Sequence, residues 1–238
     1  MARAIYTRSS GVIKKVLQLN TKVSGSIKKV TAVYTRVAGV IKKIYPEATT
    51  AVAYTSPGTT NVVVPPGCYS ITYGVYGGAG GGGAGCSSFA LFFSEGGGGG
   101  SGGKRESTVA VVPGETLTAV VGAKGSRGVD SLTLDVPGTV ATDGASSSLT
   151  GSFGTLTATG GVKGGRGLAA TWGAGGAGGT PSGDAGDDGQ AAFWVIPAGG
   201  TNGSGYGNGG RGGSFDNVLI ASTDGADGRV SITFTAAS

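Results

Sequence analysis

Glycine returns at every third position through several tracts of this chain, at 173, 176 and 179, at 183, 186 and 189, and at 207, 210 and 213. A left-handed helix of three residues per turn puts such glycines on one side, where only a hydrogen side chain lets two backbones approach. The tracts are either mobile spacers, the usual behaviour of Gly-rich chain, or packed glycine helices bonded to one another through backbone N–H and C=O groups. The regular spacing favours the second. Collagen is excluded, because eight prolines and no sustained triplet run cannot support a triple helix. With 52 glycines and an apolar fraction of 38%, the chain has too little to fill a single conventional core.

Strands alternate with these tracts. Tyr69, Ile71, Tyr73 and Val75 share one face, as do Leu117, Ala119 and Val121, then Leu132, Leu134 and Val136, and finally Val230, Ile232 and Phe234. The expected fold is mainly β with almost no α-helix: a glycine-rich, β-sandwich-like domain with polyglycine II-type segments, preceded by β-hairpin repeats. A basic repeat module covers 1–46, a linker 47–58 and the glycine-rich β domain 59–238. The Thr/Ala-rich linker also holds the first strand of the body.

The front module repeats one unit of fourteen residues three times, at 6–16, 20–30 and 34–44. A mid-unit Gly and many β-branched residues argue against a helix. Ser10-Gly11, Ser24-Gly25 and Ala38-Gly39 fit two-residue hairpin turns. That register sets Val37 opposite Val40 and Tyr34 opposite Lys43, and six short strands would form a meander. Residues 1–46 carry ten Lys/Arg and no acid, +10, while the rest has 8 basic and 13 acidic side chains, −5. Lys14, Lys15, Lys28, Lys29, Lys42 and Lys43, with Arg8 and Arg36, are therefore the candidate attachment residues, for an acidic protein surface more than for nucleic acid. Solvated lysines guarding strand edges are the plainer alternative.

"VAGVIKKIY" at 37–45 resembles short repeats of bacteriophage tail and virion proteins. "VVVPPGCYSITYGVYGGAGGGGAG", "VVPGETLTAVVGAKGSRG", "LTATGGVKGGRG" and "GADGRVSITF", in that order over about 59–236, resemble the glycine-rich domain of phage tail fibres, tail tips and related adhesins. The acidic loop Asp184 to Asp188 and the aromatic insert at 87–95 depart from that pattern. The resemblance implies a virion structural protein, assembled in the host cytoplasm and exposed on the particle. It would dock on tail or capsid proteins through its front repeats and present a head to a host glycan or outer-membrane protein. A head fibre or capsid decoration protein is the alternative within that class. A cell-surface or matrix glycine-rich protein is the alternative outside it.

Nothing points to an enzyme, a cofactor or a metal. The chain has no histidine, which removes imidazole catalysis. "GGSGGKRE" at 98–105 lacks the hydroxyl that a phosphate loop sets on magnesium. Asp184, Asp187 and Asp188 read as a solvated acidic loop more readily than as a calcium site. Cys68 and Cys86 read as two unpaired thiols. No stretch has the length of a membrane span, and no apolar signal-peptide core precedes the first lysines. Trp172 and Tyr206, among small and polar neighbours, are candidate receptor contacts with Asp187 and Asp188. Mixed-face hairpins and surplus backbone polarity both need partners, and a homotrimer is expected.

Overall fold

The computed structural model describes residues 50–88, 92–133, 136–168, 171–187, 207–216 and 218–236, together with the backbone pairing of six short strands between residues 5 and 45. These six are β1 (Ile5–Ser9), β2 (Val12–Val16), β3 (Asn20–Val23), β4 (Ser26–Lys29), β5 (Val33–Val37) and β6 (Val40–Tyr45). They pair as hairpins, with Val37 opposite Val40 and Tyr34 opposite Lys43. They make three separate two-stranded sheets and not one meander.

The body begins inside the stretch read as a linker. β7 (Thr50–Tyr54) pairs with the last strand, and β8 (Gly58–Val63) opens the second sheet. There follow β9 (Cys68–Tyr76), β10 (Cys86–Ser88), β11 (Phe92–Ser94), β12 (Lys104–Ala110), β13 (Thr116–Val121), β14 (Ser147–Gly151), β15 (Gly154–Ala158), β16 (Ser214–Asp216), β17 (Val218–Ile220) and β18 (Arg229–Ala236). Two antiparallel sheets, β12-β9-β18-β7 and β15-β14-β13-β8, form a sandwich. Alternation sends Ile71, Tyr73 and Val75 with Val230, Ile232 and Phe234 against Leu117, Ala119, Val121 and Leu149, all buried. Burial of each large side chain contributes about 1.5–3 kcal/mol.

Glycine takes over where the strands leave the sandwich. β9 runs directly into an extended segment at 77–85, β13 into 122–131 and β15 into 159–167, while 95–103, 136–146 and 221–228 lead into β12, β14 and β18. Segments 172–179, 183–187 and 207–213 complete nine such rods among the described residues. The 77–85 rod shows the rule. Its N–H groups bond in three directions, Gly77, Gly80 and Gly83 to Gly103, Gly100 and Gly97, Gly78 and Gly81 to Ala145 and Thr142, Ala79 and Gly82 to Ala226 and Thr223. Its carbonyls accept from three further rods, through Gly161, Gly164 and Gly167, through Gly125, Gly128 and Ser131, and through Gly210 and Gly213. All of these bonds are 2.7–3.1 Å long. Six neighbours around one rod, each met every third residue, are the hexagonal packing of polyglycine II helices. The tracts are packed scaffold.

Close packing explains the composition. A Cβ on Gly80 would stand inside contact distance of the Val162 carbonyl, and one on Gly83 against that of Gly165. Where a side chain is admitted it does a job: Ser101 is fully buried, and its hydroxyl donates to the Asp184 carbonyl and accepts from the Asp184 N–H. N–H groups at the rod surface take side-chain oxygens instead, Lys124 from Asp227, Arg127 from Asp224, Ser126 from Thr142 and Arg211 from Thr223. The Pro113-Gly114-Glu115 turn has its own latch. Glu115 accepts from the N–H of Val112 at 2.8 Å and of Ser152 at 3.0 Å, tying this turn to the one between β14 and β15.

Burial pushes the Glu115 carboxyl up, but the Val112 and Ser152 donors outweigh it and hold the group below the usual 4.5. Glu106 is lowered first by the Tyr76 hydroxyl and then by Lys104. Both contributions are complete above the unfolded value and are lost as pH falls through the depressed folded values. Thermal melts between neutral pH and pH 3 should therefore show a loss on the acid side that Glu106→Gln and Glu115→Gln each reduce, by below about 1 kcal/mol at such exposed sites. Denaturant unfolding of Gly80→Ala should show a loss of about 3 kcal/mol or more. Gly154→Ala, at a φ of 88° with open space around it, should lose about 1–2 kcal/mol.

Candidate functional site: the far end of the rod lattice

Cys68 starts β9 at the outer edge of the sandwich, and Cys86 follows the 77–85 rod at the other extreme of the body. Rises of about 3.3 Å per strand residue and 3.1 Å per rod residue put them roughly 50 Å apart. Both are buried. The far end is where rods turn back. It gathers the paired strands β10 and β11, residues 131–133 and Val136, the bridge between Leu168 and Thr171, and the paired strands β16 and β17.

One carboxylate fastens this end. Asp130 accepts from the Gly85 N–H at 2.6 Å through Oδ1 and from the Ser222 N–H at 3.0 Å through Oδ2, and buried Ser222 donates to the Gly128 carbonyl. Three rods are thus joined where backbone pairing runs out. Three arginines brace the turns by donating to carbonyls: Arg127 to Ser222 at 3.0 Å, Arg211 to Ala221 at 3.3 Å and Arg166 to Gly138 at 3.4 Å. Cys86 Sγ–H donates to the Val136 carbonyl at 3.2 Å. Lower on the same flank, Asp224 is held below the ordinary carboxylate range by the Arg127 N–H and then by Lys124, whose ammonium lies 3.0 Å away. The Lys124 ammonium is raised in turn by Asp224.

Asp130, Ser222 and the three arginines are thus engaged within the lattice, while several apolar side chains face solvent. Leu132 is 64% exposed and Trp172 51%, with Val129, Val136 and Leu168 also exposed, and Val140 lies one rod turn below. The 132–136 stretch was expected to be a half-buried strand, but its described residues Leu132 and Val136 are exposed between the 122–131 and 136–146 rods, with Val136 N–H bonded to Thr133 O at 3.1 Å, and Leu134 lies outside the described residues. Glycines at 122, 125 and 128 before it and at 138 and 144 after it carry the signal that it joins two rods.

Of the candidate receptor contacts, Trp172 is the first residue of its rod at the far end, next to Gly173, whose N–H reaches the Glu95 carbonyl. Asp187 is exposed on the rod surface, its carbonyl accepting from Gly98. Asp188 and Tyr206 lie outside the described residues. Gly207, next to Tyr206, bonds Gly102 and Asp227 near the sandwich and so sits away from Trp172. Arg8, Lys14, Lys15, Lys28, Lys29, Arg36, Lys42 and Lys43 occupy hairpin strands whose side chains are outside the described residues. Among the described residues no group of three or more His, Cys, Asp or Glu side chains is placed to hold a metal ion, and no helix is long and apolar enough to cross a membrane.

A sandwich that feeds a glycine lattice defines the class of this body. The glycine-rich domain family matches residues 55–235, and the chain belongs to that family. No curated protein matches it.

Replacing Asp130 with Ala leaves the Gly85 and Ser222 N–H groups without their acceptor, at a cost of about 1–3 kcal/mol each where they stay buried. Amide exchange should accelerate at 85 and 218–222 while 96–103 stays protected.

Proposed function

We propose that this protein is a bacteriophage virion component of the tail-fibre or tail-tip kind, with the basic hairpins gripping the particle and the far end of the lattice meeting the host surface. The observation that carries this reading is the exposure of Leu132, Val136, Leu168 and Trp172 at rod ends remote from the sandwich strand β7, which follows the hairpin module in sequence. Membership of the glycine-rich domain family supports it, as do the phage-like repeat and the ordered segments of the body. A rod lattice projects its end stiffly, and turns between rods can carry different residues without disturbing the packing beneath. Apolar groups already in solvent gain on meeting a partner, while braced arginines keep the turns in shape. Several copies on one particle would raise weak contacts to useful avidity.

Binding of labelled protein to host cells tests the reading. The double variant Leu132→Ser with Trp172→Ala should lose at least about tenfold in affinity, equivalent to about 1.4 kcal/mol, with its unfolding midpoint unchanged. Lys42→Glu with Lys43→Glu should bind cells normally yet fail to join particles. Undiminished cell binding by the first variant would remove the tip from the mechanism.

A further inference from the structure

The two flanks of the sandwich differ. On one flank the edge strand β12 carries Lys104, Arg105 and Glu106, charges that discourage pairing with another chain, and β12 approaches β15. On the other, β7 and β8 are the edges of their sheets, joined by three residues, and neither contains a charge or a proline. Gly58, Thr59, Thr60, Asn61 and Val63 are exposed and Val62 is half-buried. Thr60 and Val62 stand opposite buried Ala119 and Leu117, so they point inward. Thr60 is nevertheless in solvent, and Val52, Tyr54 and Val62 cover the core only in part. Val109 of β12 is likewise only half-buried against the core on the other flank, but β12 brings charge to that edge; here the half-covered core lies beside edge strands that carry none.

We propose that a second copy of this chain pairs here, β8 against β8, antiparallel about a two-fold axis. The occupant follows from the strand itself. With Asn61 opposite Asn61, Thr60 meets Val62 and Thr59 meets Val63, which gives β-branched cross-strand pairs on both faces and no like charges. The same contact brings the partner's core-edge residues toward Val52 and Tyr54. An isologous contact of this kind closes as a dimer, in place of the trimer expected from the mixed-face hairpins. The pairing is independent of what the far end binds.

Sedimentation of the full chain should give the mass of two chains. Thr60→Lys, a charge directed into the seam but tolerated by solvent in a single copy, should give the mass of one chain with an unchanged circular dichroism spectrum. Thr108→Lys, on the charged flank, should stay at two. As an independent check, Asn61→Cys places two thiols on directly opposed residues, within disulfide reach. Since Cys68 and Cys86 are buried, mild oxidation should yield a two-chain band that reductant abolishes. Any other wild-type mass, a Thr60→Lys protein that remains paired, or an Asn61→Cys protein that yields no linked band overturns the proposal.

Discussion

Every peptide group taken out of water must find a partner, and in this protein that requirement is met largely without side chains. A β-sheet satisfies it in one plane, leaving two faces that need apolar cover. The glycine rods satisfy it in six directions at once, so the 77–85 rod is enclosed almost wholly by backbone, with the Asp130 side chain taking the Gly85 N–H. Bonds in all six directions are possible only while axes stay close enough to exclude a Cβ. Glycine is thus the condition for packing here, although it is the most flexible residue in the unfolded chain.

The sandwich and the lattice depend on each other. Glycine loses more conformational freedom on ordering than any other residue, and a lattice of glycine alone has little apolar surface to offset that loss. Six of the nine described rods continue a sandwich strand or lead into one. The packed residues Ile71, Leu117, Leu149 and Ile232 therefore fix the axial position of the rods. A one-residue slip of β9 against β18 would turn its apolar face outward. The hydrophobic core holds the register, and the rods carry it to the far end.

Much of this was legible from residues. Alternation identified the buried faces of β9, β13 and β18, because half-buried strands leave a period of two. The period of three at 173–179 and 207–213 foretold rods, since each third glycine faces the same neighbour. Leu132 and Val136 were expected to face a core because they alternate with Leu134 as a strand does, but both are exposed, and alternation cannot tell an apolar face that meets a core from one that meets water. Asp130, Arg127 and Arg166 carry no local signal. Their partners are 28 to 95 positions away in sequence, and only the folded lattice brings them together.

The three-residue turn of the rods sets a rule for how this chain can change length. Adding one residue inside a rod rotates everything beyond it by a third of a turn, so each later N–H points at the wrong neighbour and each later side chain at a place reserved for hydrogen. Adding three restores the direction of every bond and lengthens the rod by one step. The turns at the far end obey no such arithmetic. Length variation in relatives of this body should therefore be free at the tip and counted in threes along the shaft.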